Sequence, residues 1–253
     1  MKSKKAKQKT MSEKYTVYGL AVETADLQQN ANRLLGLLKE DRGAWIVTLN
    51  TEMLAKINKD SEYHDLLKQA DIYYADGMPL VWASWLGHRR QRIAGRTTGV
   101  DLVEHILNLD QIPNFAIIGG VDPERTLERY PGAQDACKFI FNGIVDGSEE
   151  QIQYFVETIE ENSISIVFLA LGVPKQDRVA LQLRKRLPNV ILAGIGGTFE
   201  ILGPEGGRAP LWMQNAGLEW LYRLGKEPGR LWKRYIIECP SGVLLLLKER
   251  FHK

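Results

Sequence analysis

Short apolar runs alternate with amphipathic segments along most of the chain. Seven runs are typical of strands: Tyr15–Val22, Trp45–Leu49, Ile72–Tyr74, Phe115–Ile118, Lys138–Phe141, Ile164–Leu171 and Val190–Ala193. Segments with helical spacing lie at Ala25–Glu40, Pro79–Leu86, Gly99–Leu109, Glu149–Glu161 and Gln176–Leu187. Nearly continuous apolar strands that alternate with helices predict an α/β fold, in which helices cover both faces of a mostly parallel sheet.

The C-terminal part of the chain has a different composition. After the Gly- and Pro-rich residues 203–207, the segment Arg208–Tyr235 carries three of the six tryptophans among arginines and lysines. One interpretation is a set of amphipathic helices whose aromatic rings close a core. The other is a surface for anionic lipid or a diphosphate, because indole rings favour the membrane interface and guanidinium groups pair with phosphate. We therefore divide the chain into a basic flexible tail (1–14), an α/β domain (15–204) and a helical appendage (205–253).

Charge is distributed unevenly along the chain. The formal net charge is +2, but residues 1–10 carry five lysines and no acid, and residues 205–253 carry nine Lys or Arg against five Asp or Glu. Basic ends on an acidic body favour docking on an anionic membrane surface and argue against a broad nucleic-acid interface. The apolar run Val243–Leu247 near the end of the chain is too short to span a bilayer, so we expect peripheral contact from the cytoplasmic side. Cys137 and Cys239 are far apart and lack the spacing of metal ligands, so we expect both to be reduced thiols in a cytoplasmic protein.

Polar residues and glycines follow the predicted strands at their carboxyl ends, where ligands of parallel sheets bind. They are Thr48 and Asn50, Asp76, Gly119 and Gly120, Gly172 with Lys175 and Gln176, and Gly196 and Gly197 with Glu200. Glycine-rich turns between a strand and a helix let backbone amides approach phosphate. The strict dinucleotide fingerprint, the P-loop and the nucleophile elbow are absent from the sequence. The four histidines are scattered and no D-x-D pair occurs, so we expect no metal site.

Each polar residue at these strand ends has a structural interpretation beside the functional one. Asp76 precedes a glycine and could cap a helix, or it could act as a general base on a substrate hydroxyl. Asn50 and Thr48 are good cap residues as well as good hydroxyl binders. Gln176 could simply open a helix, and Glu200 could bind ribose hydroxyls or be a solvated charge. Residue types alone leave these alternatives open.

Taken together, the motifs resemble the WecG/TagA/CpsF family of bacterial glycosyltransferases. The resemblance runs from about Tyr15 to Tyr235. Its marks, in order, are T-L-N-T-E-M-L, A-D-G-M-P-L-V-W-A-S-W-L-G, R-I-A-G, G-V-D-L, G-V-P-K-Q-D, G-I-G-G-T-F-E and the long segment with R-A-P, G-L-E-W-L-Y-R-L and R-L-W-K-R-Y.

The resemblance implies a Rossmann-like GT-E body with a C-terminal appendage that engages the membrane. It also implies an inverting, metal-independent transfer of a sugar, typically N-acetylmannosamine, from a UDP-sugar to a polyprenyl-diphosphate-linked acceptor. No cofactor is expected. The product would feed a cell-envelope polysaccharide such as teichoic acid or exopolysaccharide, on the inner face of the cytoplasmic membrane. A homo-oligomer is compatible with an appendage that packs on a neighbour.

The resemblance also assigns roles to individual residues. Asp76 is implied as the base, Thr48 and Asn50 as lining the same pocket, and Arg92 and Gln176 as further catalytic residues. The implied substrate-binding residues are Gly119, Gly120, Gly172, Lys175, Gly196, Gly197, Glu200, Arg208, Arg223, Arg230 and Arg234. Without a metal, backbone amides and guanidinium groups must stabilise the departing UDP.

Three departures from the family pattern affect these assignments. Asp177 stands where the family usually has Glu, and Glu200 where it usually has Asp, which changes the reach of each carboxylate. The stretch R-I-A-G-R-T-T-G-V-D-L is longer than the common form, so the alignment of Arg96 is open.

Another donor such as UDP-glucose is the alternative within the family. Outside it, the alternatives are a dinucleotide-dependent oxidoreductase or epimerase and a non-catalytic, membrane-associated binding module.

Overall fold

Eight strands form one sheet at the centre of the computed structural model, which describes residues 14–86, 88–204 and 207–251. The strands are β1 (Tyr15–Val17), β2 (Leu20–Val22), β3 (Ala44–Leu49), β4 (Ile72–Ala75), β5 (Phe115–Gly119), β6 (Cys137–Phe141), β7 (Ile166–Ala170) and β8 (Ile191–Gly194). Their order is β1-β2-β4-β3-β8-β7-β5-β6. Only the β1–β2 pair is antiparallel among these described strands. Apart from Lys14, the predicted basic tail lies outside the described residues.

The first predicted strand is in fact a hairpin. Tyr18 and Gly19 have positive φ values of 49° and 76°, and they turn the chain back so that Val17 pairs with Leu20. Two successive residues with positive φ match the right-handed twist of a tight hairpin. The prediction of one strand over Tyr15–Val22 was wrong because a tyrosine seldom adopts this conformation, so Gly19 alone did not indicate a turn.

Helices cover both faces of the sheet, as the alternation of apolar and amphipathic segments predicts. They are α1 (Leu27–Lys39), α2 (Thr51–Ile57), α3 (Ser61–Leu67), α4 (Met78–Trp85), α5 (Gly99–Leu107), α6 (Pro123–Leu127), α7 (Ala133–Ala136), α8 (Glu149–Glu161), α9 (Lys175–Arg186) and α10 (Thr198–Leu202), with a 3₁₀ turn at Arg89–Gln91. Alternate residues of β3 show the two faces: Trp45 and Val47 pack in one apolar cluster, Ala44 and Ile46 in the other. The predicted α/β fold is confirmed.

The order of the strands reverses between β3 and β8, and this reversal determines where the sheet can bind a ligand. The chain leaves β3 into α2, which packs on the face that contains Trp45, and leaves β8 into α10, which packs on the opposite face. The two helices therefore diverge and open a crevice at the carboxyl ends of neighbouring strands, which is where open α/β sheets bind ligands.

The C-terminal segment is helical. It contains α11 (Leu211–Asn215), α12 (Glu219–Lys226), α13 (Pro228–Lys233), a π-helical stretch (Arg234–Glu238) and α14 (Cys239–Phe251). Pro228 is the first residue of α13, because proline is tolerated at a helix start but not in a helix interior. Arg223 and Arg230 therefore stand on separate helices.

The last helix, α14, packs on α2 and becomes part of the core. Leu246 is 2% exposed within the cluster that contains Trp45. A Cβ added at Gly242 would lie 1.9 Å from the Thr51 carbonyl oxygen, so only glycine allows this approach of the two backbones. In the described ranges, no helix combines the length and apolarity that crossing a bilayer requires.

Candidate functional site

A pocket of about 870 Å³ lies at the carboxyl ends of β3, β4, β7 and β8, and the C-terminal helices close it on one side. The predicted site residues that line it are Thr48, Asn50, Asp76, Gly172, Gln176, Gly196, Gly197, Glu200, Arg223, Arg230 and Arg234. These residues are up to 186 positions apart in the chain, from Thr48 to Arg234. The fold therefore brings most of the predicted set into one cavity.

Asp76 stands directly after β4 with its carboxylate free of a capping role. Its backbone N–H donates to the Leu49 carbonyl at 2.8 Å and extends the β3–β4 pairing by one residue. Gly77, with φ +110°, is the N-cap of α4, and no side chain bonds to the helix start. Burial raises the pKa of Asp76 to about 6, while Arg234 and Arg96 hold it down and Asp101 and Glu219 push it up. Asp76 is therefore a carboxyl group that changes charge close to neutral pH, as a general base should.

Thr48 and Asn50 hold the walls of the pocket in place. The Thr48 hydroxyl donates to the Gly194 carbonyl at 2.9 Å and ties β3 to β8 across the crevice. The Asn50 side-chain oxygen accepts from the Met53 backbone N–H at 3.0 Å and caps α2. Asn50 thus has the role of a helix cap that the sequence left open, whereas Asp76 does not cap a helix.

Gln176 fixes the glycine turn that follows β8. It is buried in the first turn of α9, and its side-chain oxygen accepts from the Gly196 backbone N–H at 3.0 Å. A Cβ added at Gly194 would lie 2.7 Å from Gln176 Nε2, so the amide fills the space that this glycine leaves. The G-I-G-G turn is therefore set by a side chain from the neighbouring strand-to-helix connection.

The three predicted appendage arginines enter the pocket from different helices. Arg230 Nη2 lies 3.2 Å from Glu200 Oε2, and Arg234 Nε lies 2.8 Å from Glu52 Oε2. Arg223 donates to the Tyr235 hydroxyl at 3.3 Å, and its Nη2 lies 3.7 Å from the position that a Cβ on Gly197 would occupy. No carboxylate of the described chain forms an ion pair with Arg223, which leaves a positive charge beside the glycine turn.

The structure places Arg96, rather than Arg92, in the pocket. Arg92 is exposed at the end of the 3₁₀ turn. Arg96 lines the cavity, and its Nη1 lies 3.3 Å from Glu219 Oε2 on α12. Arg92 and Arg96 are each followed by a glycine three residues later, so the family's R-x-x-G motif can be aligned with either arginine. Only the structure shows which of the two reaches the pocket.

Four other predicted binding residues do not line the pocket. Gly119 ends the neighbouring strand β5 and Gly120 follows it, where the Gly120 N–H donates to the Ala170 carbonyl. Lys175 is exposed at the first position of α9. Arg208 forms ion pairs with Asp101 at 2.5 Å, Glu104 at 2.7 Å and Glu219 at 3.5 Å, and so fastens the start of the appendage to α5. Their predicted contacts with substrate remain predictions.

Sequence reasoning missed the aromatic and acidic partners of the arginines. Trp220 and Tyr235 line the pocket with ring centroids 5.9 Å apart, and Glu52 and Glu219 hold Arg234 and Arg96. Tyr235 reaches the pocket from the π-helical stretch, a local geometry with no sequence signal. Glu52 stands inside the motif T-L-N-T-E-M-L, so the motif itself could have indicated it.

The described residues contain no group of three or more His, Cys, Asp or Glu side chains placed to hold a metal ion. The pocket lining carries four guanidinium groups, from Arg96, Arg223, Arg230 and Arg234, and four carboxyl groups, from Glu52, Asp76, Glu200 and Glu219. Three of these arginines form ion pairs with the three glutamates, so within the described residues Arg223 is the guanidinium group left to pair with a phosphate. Chemically, the pocket therefore suits an anionic group at Arg223 together with a carboxyl group at Asp76.

Comparison with known proteins points to the same chemistry. A family model described as glycosyl transferase WecG/TagA/CpsF family matches residues 15–253. The N-acetylglucosaminyldiphosphoundecaprenol N-acetyl-beta-D-mannosaminyltransferase of Bacillus subtilis (strain 168) is 31% identical over 220 residues, which are 83% of this chain and 82% of that protein.

Proposed function

This chain belongs to the WecG/TagA/CpsF family of glycosyl transferases, and from this premise we propose that it transfers N-acetylmannosamine from a UDP-sugar to N-acetylglucosamine on a polyprenyl diphosphate. Family membership makes the chain an enzyme, which removes the non-catalytic binding module from the alternatives. The sugar and the acceptor follow the name of the Bacillus subtilis relative. The observation that carries the proposal is the meeting of Asp76 with four arginines in one pocket.

The donor fits the side of the pocket formed by the G-I-G-G turn. Gly196 and Gly197 form a tight backbone turn in which the Gly196 N–H already donates to Gln176. The donor left beside the turn is the guanidinium group of Arg223, which forms no ion pair with a carboxylate of the described residues. A guanidinium group is a suitable donor for a diphosphate. Glu200 lies on the same side, where its carboxylate suits ribose hydroxyls. Its ion pair with Arg230 would hold that carboxylate in place.

Asp76 serves as the base. In its ionised form it takes the proton of the acceptor hydroxyl while the hydroxyl oxygen attacks the anomeric carbon. One displacement of this kind inverts the configuration at that carbon, and UDP leaves on the opposite side. We propose that Arg223 and Arg230 stabilise the charge that develops on the leaving diphosphate, so that the reaction proceeds without a metal ion.

The acceptor enters from the membrane. Of the large apolar side chains that are exposed in the described residues, most lie on α4 and on the C-terminal helices, with Trp212 65% exposed and Trp232 51% exposed. Exposed tryptophans beside arginines suit the interface of an anionic bilayer. Peripheral binding to the inner face of the cytoplasmic membrane would bring the pocket to a lipid-linked substrate.

The test is UDP release from a panel of UDP-sugars, with a GlcNAc-diphosphate acceptor that carries a prenyl or short alkyl tail. EDTA is present throughout. We expect acceptor-dependent release with UDP-N-acetylmannosamine and none without acceptor. Release with UDP-glucose alone would assign the other donor, whereas activity that EDTA abolishes and Mg²⁺ restores would overturn the metal-independent mechanism.

A further inference from the structure

The lining of the pocket is chemically mixed. Beside Asp76 and the arginines it includes Pro240, Val243 and Leu244 of α14, together with Met53 and Val173. The uracil ring and the N-acetyl methyl group of a sugar nucleotide could pack on a few such side chains, but neither needs an apolar surface that continues along α14. The apolar residues of α14 therefore suit a further, apolar ligand group.

The apolar residues of α14 form one continuous stripe along the helix. Cys239, Pro240, Val243, Leu244 and Leu247 stand at positions i, i+1, i+4, i+5 and i+8, which share one side of an α-helix. We call these five residues the α14 track. At a rise of 1.5 Å per residue, the path from Tyr235 in the pocket to Leu247 is about 18 Å long.

The track leads from the pocket to the protein surface on a rigid support. Leu244 is 67% exposed and Leu247 is 37% exposed, so the far end is open. The neighbouring side of α14, with Gly242 and Leu246, is fixed against α2. An apolar surface that begins in the pocket and continues to exposed leucines on the same side of the helix fits an elongated hydrocarbon chain.

We propose that the α14 track receives the first isoprene units of the lipid-linked acceptor, an inference that rests on the proposed function. The acceptor diphosphate then lies at the near end of the track, beside Arg234, which occupies the helical turn before Cys239. Arg223, next to Gly197, is left for the donor diphosphate. The two diphosphates thus have separate arginines, and the direction of the acceptor is fixed by α14.

The test uses soluble acceptors, first in the absence of vesicles and then with anionic vesicles added. GlcNAc-diphosphate carrying one, two or three isoprene units is compared as substrate for the wild-type chain and for Leu244→Ser. In the wild type, we expect KM for the acceptor to fall as the tail lengthens. Because burying a leucine-sized surface changes affinity by about tenfold or more, Leu244→Ser should raise KM for the longest tail by about tenfold and leave KM for the shortest unchanged.

The control is Ile144→Ser, which makes a similar exchange at a residue that is 88% exposed on the loop after β6 and does not line the pocket. It should leave every KM unchanged. Val243→Ser provides a second variant in the track. Since Leu244 is largely exposed, its replacement should not affect the thermal transition, and UDP affinity should stay at the wild-type value.

Three results would contradict the proposal that the α14 track binds the acceptor tail. They are a wild-type KM that does not depend on tail length, an equal change for all tails in Leu244→Ser, and an effect that appears only when vesicles are present. The last would make α14 a contact for the bilayer instead of the acceptor tail. If the wild type transfers sugar to none of the acceptors, the proposed function fails, which is distinguishable from failure of the track alone.

Discussion

The side-chain oxygen of Gln176 accepts a hydrogen bond from the backbone N–H of Gly196 at 3.0 Å, and this bond links α9 to the turn after β8. The turn is the part of the pocket that we assign to the donor diphosphate. We therefore expect Gln176 to act on the substrate as a positioning residue, through the backbone that it holds.

Replacing Gln176 with leucine should weaken donor binding more than it slows the chemical step. The variant loses the bond to Gly196, and a buried N–H without a partner costs roughly 1–3 kcal/mol, so we expect KM for the UDP-sugar to rise about tenfold or more with a smaller change in kcat. Gln182→Leu is the matched control, because Gln182 lies on the same helix and bonds Gly147 away from the pocket. A fall in kcat with unchanged KM would instead indicate direct participation in the reaction.

Asp76→Asn should abolish transfer while the fold and UDP affinity are retained. Removing a general base typically costs about 10²–10⁴-fold in rate, and asparagine keeps the size of the side chain. Asp65→Asn, at an exposed position on α3, is the control for loss of a carboxylate. The measurement is acceptor-dependent UDP release together with a UDP titration, and turnover at the wild-type rate in Asp76→Asn would remove the base assignment.

The pH dependence should report the same carboxyl group. Burial raises the pKa of Asp76 to about 6, and only the ionised form can accept a proton, so kcat/KM should rise with pH through about 6 and then level off. Burial also raises the pKa of Asp177, to about 7. The assignment to Asp76 therefore requires that Asp177→Asn leave the rising limb in place, and a limb that disappears in this variant would contradict it.

Arg96 and Arg92 offer a direct comparison between the structure and the sequence alignment. Arg96 faces Asp76 and Glu219, so Arg96→Ala should lower kcat/KM by about 10²-fold, the scale of one lost group that stabilises charge. Arg92 is exposed outside the pocket, so Arg92→Ala should behave like the wild type. The opposite ranking would return the role to Arg92.

The buried pair Tyr63 and Asp177 should make stability depend on pH. The Tyr63 hydroxyl donates to Asp177 Oδ2 at 2.7 Å, and Oδ1 has no partner in the described chain. Burial raises the folded-state pKa of Asp177 to about 7, well above that of an unfolded aspartate. The stabilising contribution is then complete below about pH 4 and is lost as the pH rises through about 7, with a total of roughly 2–4 kcal/mol.

Asp177→Asn should remove this part of the pH dependence, because the amide oxygen can still accept from Tyr63 and no charge forms. We expect the variant to be more stable than the wild type at pH 8 and about equal to it at pH 4. Urea unfolding at both pH values measures the difference. An identical pH dependence in the two proteins would show that Asp177 is not the responsible group.

Gly242→Ala should destabilise the chain strongly, whereas Gly229→Ala should not. The new methyl group at position 242 would lie 1.9 Å from the Thr51 carbonyl oxygen, so α14 must shift away from α2. Gly229 has no atom within 4 Å of the added methyl group, and an alanine in α13 should raise stability by about 0.5–1 kcal/mol. Thermal unfolding compares the two variants, and equal transition temperatures would mean that α14 does not depend on this close approach.

The sequence predicted those parts of the molecule that local patterns determine. The alternation of apolar strands and amphipathic helices is sufficient for the sheet, and the strand ends indicated Asp76 and Gln176. The hairpin at Tyr18 and Gly19 was missed because a tyrosine is unusual at the first position of such a turn. The choice between Arg92 and Arg96, and the roles of Glu52, Glu219 and Tyr235, depend on how distant segments meet, which periodicity does not encode.

The order in which the pocket is assembled along the chain has a consequence for synthesis. Asp76 is made early, whereas Arg223, Arg230 and Arg234 leave the ribosome after all eight strands of the described sheet. A nascent chain can thus begin to fold before it can bind a diphosphate in the completed pocket, since domains form as their residues emerge. Ribosome-bound chains that stop short of residue 223 should therefore be inactive, and the proposed donor should be consumed only after translation has passed the last arginine of the site.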